Sequence, residues 1–138
     1  MLILSVLDLW MFLGIMLRMK TVLLVEDDRG IRDALKEVLQ SEGYRVITAD
    51  NGKQALVLVS ELDTSSLNLI LLDLMMPVMT GQQFLEASKD QVSIAEIPIA
   101  VFSADGKVAD FHNDRVSEVI RKPVDLDGFL QIVARFCR

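Results

Sequence analysis

The segment LNLILL, residues 67–72, is apolar at five of its six positions, and similar runs occur at 21–25 (TVLLV) and 97–102 (IPIAVF). A strand with one solvated face alternates between apolar and polar residues, whereas a strand of a parallel sheet covered by helices on both faces is apolar nearly throughout. Between these runs, apolar residues recur at helical spacing, as at Ile31, Ala34, Leu35, Val38 and Leu39. The pattern predicts a doubly wound α/β fold.

The predicted elements alternate as strand and helix five times from Lys20 onward. The predicted strands are residues 21–25, 44–49, 67–72, 97–102 and 118–120. The first predicted helix carries the apolar stripe of residues 31–39 and ends at Gly43. The other predicted helices span residues 51–62, 82–88, about 106–116 and 125–136. Of these, 106–116 has the weakest helical pattern. The chain has 138 residues, a length that suits a single domain.

Charge and cysteine content restrict the classes of function. The net charge of −6 argues against electrostatic binding of nucleic acid or anionic lipid, so direct DNA binding is not expected. Cys137 is the single cysteine, which excludes an intramolecular disulfide and a site built from several cysteines. These features fit a protein of the reducing cytoplasm.

Residues 1–18 differ from the rest of the chain because nearly every position is apolar. The segment is short for a membrane span and carries Asp8 near its middle, and it has neither a basic start nor an evident signal cleavage site. Three interpretations remain open: an upstream mis-called start with the natural start at Met19, a weak membrane anchor, or an extra helix packed on this domain or on a partner. We therefore divide the chain into an extension, 1–18, and a domain, 19–138.

Polar residues follow four of the predicted strands. Strand one is followed by Glu26, Asp27 and Asp28, strand three by Asp73, strand four by Ser103, and strand five, after Arg121, by Lys122. In an open parallel sheet, ligands bind beyond the carboxyl ends of the strands. The sequence therefore predicts that acids, a hydroxyl group and a lysine converge at one edge.

Each of these residues also has an ordinary structural explanation. Acids before a helix cap its free N–H groups, and Asp28 can do this while its neighbours serve another role. Their joint placement favours chemistry, because crowded carboxylates repel one another without a cation and their oxygens suit Mg²⁺. A lysine and a hydroxyl group opposite the metal would complete a pocket for a small dianion such as a phosphoryl group. A nucleotide is disfavoured because no glycine-rich loop follows strand one.

Four segments carry a family resemblance: VLLVEDD (22–28), LLDLMMPVMTG (71–81), IPIAVFSA (97–104) and RKPV (121–124). Together they resemble the signature segments of response-regulator receiver domains of two-component signalling, over residues 20–138. The resemblance implies a flavodoxin-like (βα)5 sheet with strand order 2-1-3-4-5. With no effector domain after Arg138, we expect a stand-alone receiver similar to the chemotaxis regulators, or a receiver cut from a longer hybrid protein.

The resemblance also implies roles for individual residues. Asp73 would accept the phosphoryl group, and Asp27, Asp73 and the Met75 backbone carbonyl would bind Mg²⁺, with Glu26 acting through water. Ser103 would hydrogen-bond the phosphoryl group, and Lys122 would pair with its oxygens next to a cis peptide bond to Pro123. The donor would be a sensor histidine kinase or a histidine phosphotransfer protein. The domain would catalyse only its own phosphorylation and dephosphorylation.

The expected output is altered binding to a downstream protein. Family members commonly carry an aromatic residue three positions before the lysine, and its ring swings inward as the hydroxyl group after strand four moves. This chain has Val119 there, which cannot make that rotation. His112, the only histidine, is expected at the surface. A dimer through residues 1–18, or through the fourth helix and fifth strand, remains open. The competing class is an interaction module that has lost phosphorylation, which would be expected to lack one of the site residues.

Overall fold

The computed structural model describes residues 3–104 and 113–138. The helices are α1 (Val6–Arg18), α2 (Arg29–Ser41), α3 (Gly52–Glu61), α4 (Gly81–Ser88) and α5 (Leu126–Phe136). The strands are β1 (Thr21–Val25), β2 (Arg45–Ala49), β3 (Leu67–Asp73), β4 (Ile99–Ser103) and β5 (Val116–Arg121). Short 3₁₀ turns at Thr64–Ser66 and Val92–Ile94 precede β3 and β4.

The five strands form one parallel sheet in the order β2-β1-β3-β4-β5. Both the α/β fold and the strand order implied by the resemblance are therefore confirmed. Helices cover both faces of the sheet: α3 and α4 pack on the face of Leu23, Ile70 and Val101, while α2 and α5 pack on the face of Leu24 and Phe102. This two-sided burial explains why the central strands are apolar nearly throughout.

Asn68 is the polar exception in the β3 run, and its side chain has a defined partner. Its Oδ1 accepts a hydrogen bond of 2.9 Å from the Thr21 backbone N–H. The register between β1 and β3 shifts at this point, between Thr21 and Val22. The asparagine thus satisfies a backbone donor where the regular pairing of the two strands is interrupted.

The main differences from the predicted elements lie around β4 and β5. β4 begins at Ile99 rather than at residue 97, and Pro98, which lacks an N–H group, contributes only its carbonyl to Ile70. The predicted helix at about 106–116 falls mostly on residues 106–112, outside the described residues. Its predicted end is wrong, because 113–115 form a turn and Val116 already pairs with Ile99 as the first residue of β5. Pairing with a neighbouring strand is not visible in local periodicity.

The N-terminal extension forms the helix α1, which begins with a capping box between Ser5 and Asp8. None of its residues is buried, and Trp10 and Phe12 are 69% and 64% exposed. No helix in the described part of the chain is long and apolar enough to cross a membrane. α1 joins β1 at its amino end, the end of the strand opposite Glu26.

We propose that residues 19–138 form the folding unit and predict the behaviour of a chain that begins at Met19. Its free energy of unfolding should lie within about 0.5 kcal/mol of that of the full chain, because removing α1 removes no buried residue. Its solubility should rise, because a large apolar surface is lost. Chemical denaturation of both chains tests this, and a shortened chain that does not fold would show that the extension belongs to the core.

Candidate functional site

The site lies at the carboxyl edge of the sheet, where β1, β3 and β4 end and β5 is followed by Lys122. Asp73 is the last residue of β3 and is only 3% exposed. The Lys122 Nζ lies 3.1 Å from Asp73 Oδ2 and 3.7 Å from Glu26 Oε2. The structure therefore brings an aspartate, a glutamate and a lysine from three different strand ends into contact.

The Asp73 carboxylate is positioned by its strand and by two direct contacts. The following residue, Leu74, donates its N–H to the Phe102 carbonyl at 3.1 Å, which extends the pairing of β3 with β4. Asp73 Oδ1 accepts the Met75 backbone N–H at 3.0 Å, while Oδ2 contacts Lys122. With both oxygens engaged at the end of a buried strand, the carboxylate has little rotational freedom.

Glu26, Asp27 and Asp73 form a cluster of acids. Each offers one carboxylate oxygen, and the three oxygens lie within 4.8 Å of one another. Glu26 is 1% exposed and Asp73 is buried beside it, whereas Asp27 is exposed. Burial, together with the adjacent Asp73 carboxylate, raises the pKa of Glu26 to about 8. The nearby Lys122 lowers this pKa but does not offset the other effects, so the charged form of Glu26 is disfavoured without further positive charge.

One oxygen of this cluster is unsatisfied. Glu26 Oε2 is buried and has no hydrogen-bond partner among residues 3–104 and 113–138, and the nearby lysine, at 3.7 Å, is beyond hydrogen-bonding distance. A buried polar atom without a partner is costly in a folded protein, and an ion or ordered water commonly explains one. The acid cluster thus has the oxygen donors, the charge and the unsatisfied acceptor expected of a site for a hard cation.

The acids in the loop between β1 and α2 have two different structural roles. Asp28 is the N-cap of α2 and accepts the Ile31 N–H at 2.9 Å, which confirms the capping role considered for it. Asp28 is not a member of the acid cluster. The loop is also held by Arg32, which donates to the Glu26 and Asp27 backbone carbonyls at 2.9 and 3.3 Å. Sequence reasoning missed Arg32, because nothing in its spacing distinguishes it from a solvated arginine.

Ser103 and Lys122 lie on the other side of Asp73. Ser103 ends β4 and is 8% exposed, one position beyond Phe102, the register partner of Asp73. Its backbone carbonyl accepts the Lys122 N–H at 2.8 Å, which fixes the start of the loop after β5. The peptide bond between Lys122 and Pro123 is cis, as expected. The hydroxyl group and the lysine are therefore carried by adjacent strand ends.

Three further positions were singled out in the sequence: Met75, Val119 and His112. The Met75 backbone lies next to the acids through its N–H bond to Asp73, while its side chain points outward and the residue is 72% exposed. Val119 pairs with Val101 in register and packs, partly buried, on the core face beneath α3 and α4. His112 lies outside the described residues. So does most of the predicted helix at about 106–116, which was considered as part of a dimer surface.

Comparison with known proteins assigns the family. A family model described as the response regulator receiver domain matches residues 22–134. The transcriptional regulatory protein CpxR of Escherichia coli strain K12 is 39% identical over 92 residues, which make up 67% of this chain and 37% of CpxR. CrdR, a transcriptional regulatory protein of Helicobacter pylori, is 31% identical over 119 residues, or 85% of this chain and 54% of CrdR. The chain thus spans little more than a third of the length of CpxR.

Solved structures agree with this assignment. The chemotaxis response regulator CheY4 of Vibrio cholerae has a TM-score of 0.76 at 28% identity, with 86% of this chain and 98% of that chain covered. The response regulator TrrA of Thermotoga maritima, solved in complex with Mg²⁺-BeF, has a TM-score of 0.75 at 28% identity, with 86% and 99% covered. The chain belongs to the response regulator receiver domain family, the phosphoacceptor domains of two-component signalling. Receiver domains bind Mg²⁺ at an acidic pocket.

The backbone of the site depends on a close approach at Gly81, the first residue of α4. A Cβ atom there would lie 2.7 Å from both the Asp73 carbonyl oxygen and the Leu74 Cα, so one of these backbone segments would have to move. We predict that Gly81→Ala lowers the free energy of unfolding by about 1–3 kcal/mol through this overpacking. Denaturant unfolding measures the change.

Gly14→Ala is the matched control, because the added Cβ would meet no described atom within 4 Å other than its own helix backbone, and alanine is favoured in a helix. This variant should be no less stable than the wild type. Wild-type stability of Gly81→Ala would contradict the close approach described here.

Proposed function

We propose that Asp73 is the residue that takes up the phosphoryl group, and that a sensor histidine kinase or a histidine phosphotransfer protein donates it from a phosphohistidine. The observation that carries this proposal is the geometry around Asp73. Its carboxylate is buried at a strand end, one oxygen lies 3.1 Å from Lys122, and the acids Glu26 and Asp27 lie alongside. A carboxylate fixed in this way is a suitable nucleophile for an incoming phosphorus.

The residues present fit a magnesium ion. Carboxylate oxygens are the hard donors that Mg²⁺ prefers. The buried Glu26 oxygen, which has no partner in the described part of the chain, is a further acceptor that the ion or its waters would satisfy. We propose that Asp27, Asp73 and the Met75 carbonyl hold the ion directly and that Glu26 acts through water. When bound, Mg²⁺ supplies positive charge to the phosphoryl oxygens and to the acids around them.

In the proposed reaction, an Asp73 carboxylate oxygen attacks the phosphorus of the donor. A phosphorus–oxygen bond forms as the phosphorus–nitrogen bond to the donor imidazole breaks, and the electron pair of that bond leaves with the imidazole nitrogen. Because such transition states are loose, catalysis consists mainly of positioning and charge stabilisation. Lys122 pairs with the phosphoryl oxygens, and the Ser103 hydroxyl group donates a hydrogen bond to one of them.

Receiver domains are in general not enzymes that act on separate substrates, and we propose that this one catalyses only the gain and loss of its own phosphoryl group. We place it in the cytoplasm and infer that its output is altered protein binding. The match covers only 37% of CpxR and 54% of CrdR, so the transcriptional role in their names is not carried over to this chain.

A receiver-like module that no longer accepts phosphate is not favoured. Such a module would be free to replace members of the site, yet Glu26, Asp27, Asp73, Ser103 and Lys122 are all present. Val119 at the usual aromatic position concerns the readout and leaves the acceptor chemistry unchanged. Its half-buried packing against the core explains a β-branched residue there without a further role.

The assignment of the acceptor predicts that Asp73→Asn abolishes labelling. With a small acyl phosphate and Mg²⁺, wild-type protein should gain one phosphoryl group by intact-protein mass spectrometry, and Asp73→Asn should gain none, because an amide is not a nucleophile here. Asp28→Asn is the control: asparagine also caps helices, and Asp28 is outside the acid cluster, so most of the labelling should remain. Equal labelling of the wild type and Asp73→Asn would refute the assignment.

The proposed metal site predicts that Mg²⁺ raises the melting temperature. Binding to the folded state alone stabilises it by RT ln(1 + [Mg²⁺]/Kd), which is about 2.7 kcal/mol at a hundredfold excess over Kd. Asp27→Ala should reduce this response by removing a ligand, whereas Asp28→Asn should keep it. Thermal melts at several Mg²⁺ concentrations test the prediction, and no shift of the wild type at millimolar Mg²⁺ would count against the site.

A further inference from the structure

Arg32 is a largely buried cation on α2 whose contacts the proposed chemistry does not use. Its side chain is 14% exposed. Its Nη1 lies 2.9 Å from the Glu26 carbonyl oxygen and 3.3 Å from the Asp27 carbonyl oxygen. The same nitrogen lies 3.5 Å from Oδ1 of Asp50, the residue that follows β2. One guanidinium group thus joins the loop after β1 to the end of the neighbouring strand.

Arg29, in the same helix, shows what an ordinary surface arginine does here. Its side chain is 87% exposed and pairs with Asp33 one turn further along, at 3.7 Å. An exposed pair of this kind contributes little to stability, because water screens both charges. The different burial of two arginines three positions apart indicates that Arg32 has a specific structural task.

The partners of Arg32 identify that task. Its hydrogen bonds go to the backbone carbonyls of Glu26 and Asp27 and not to their carboxylates, and its ion pair is with Asp50, outside the acid cluster. The guanidinium group therefore leaves the carboxylate oxygens available while it restrains the backbone that carries them. Restraining this backbone limits the directions in which the two side chains can leave the loop.

We infer that Arg32 is a positioning residue for the metal-binding acids: it holds the backbone of Glu26 and Asp27 so that their carboxylates meet Asp73. The inference rests on the proposed function, since it assumes that this cluster binds Mg²⁺. Residues that orient metal ligands typically change metal affinity by 10- to 100-fold when they are replaced. Loss of the Arg32 contacts should therefore raise the Mg²⁺ dissociation constant about tenfold.

The test compares Arg32→Met with Arg29→Met in the full chain. Methionine keeps an unbranched apolar stem but cannot donate a hydrogen bond, so each variant removes one guanidinium group and little else. Isothermal titration with Mg²⁺ alone should give a dissociation constant about tenfold higher for Arg32→Met and an unchanged one for Arg29→Met. Arg32→Lys, which keeps the charge on a shorter side chain, should restore part of the affinity.

A second measurement, without metal, reports on the loop itself. The Glu26 amide donates to the Ala49 carbonyl at 3.1 Å, and its hydrogen exchange by NMR reports how often this segment opens. Exchange at Glu26 should be faster in Arg32→Met than in Arg29→Met, while amides in the centre of β3 keep wild-type rates. A uniform increase at all amides would indicate general destabilisation and would overturn the positioning role.

The positioning role of Arg32 and the proposed metal site can be overturned separately. If the wild type binds Mg²⁺ and Arg32→Met binds it with the same affinity, the inference about Arg32 is overturned and the proposed function stands. If the wild type does not bind Mg²⁺, the proposed metal site is overturned and this inference with it.

Discussion

The contact among Asp73, Glu26 and Lys122 is the constraint on which the rest of the site depends. Two carboxyl groups are buried side by side. Lys122, which follows the edge strand β5, lies 3.1 Å from Asp73 and 3.7 Å from Glu26. Removing one partner of a buried ion pair typically costs about 3–5 kcal/mol, because a charge is left uncompensated. Here one lysine serves two acids, and the pKa of Glu26 is raised to about 8. The cluster therefore favours further positive charge, which suits a cation-assisted reaction on a dianion.

The fold maintains this crowding through its strands. β1, β3 and β4 are buried on both faces, so the residues at their carboxyl ends cannot separate without breaking the core. The loops then refine the positions: Met75 binds one Asp73 oxygen, Gly81 permits α4 to approach the end of β3, and Ser103 accepts the Lys122 N–H. A rigid sheet with short, tethered loops keeps together charges that would separate in solution.

Much of the fold could be predicted from the sequence, because strands that are buried on both faces are apolar at nearly every position. The apolar runs predicted β1 with its observed bounds. The polar residues after the strands predicted the meeting of Glu26, Asp73 and Lys122, but they also included Asp28, which caps α2 outside the acid cluster. The end of the predicted helix at 116 was wrong, because the pairing of Val116 with Ile99 is a tertiary contact. Arg32 was missed for the same reason: its hydrogen bonds go to backbone carbonyls, which no residue type reveals, and its ion pair with Asp50 is a tertiary contact. The roles assigned to the site residues came from the family resemblance and stay predictions.

The most direct test of the account is chemical identification of the phosphorylated atom. Borohydride reduces an aspartyl phosphate to homoserine, a change that peptide mass spectrometry assigns to a single position. After phosphorylation by a histidine kinase or a small acyl phosphate, the account predicts homoserine at position 73 alone. Homoserine at Asp27 or Asp28, or a stable phosphate on Ser103, would contradict it.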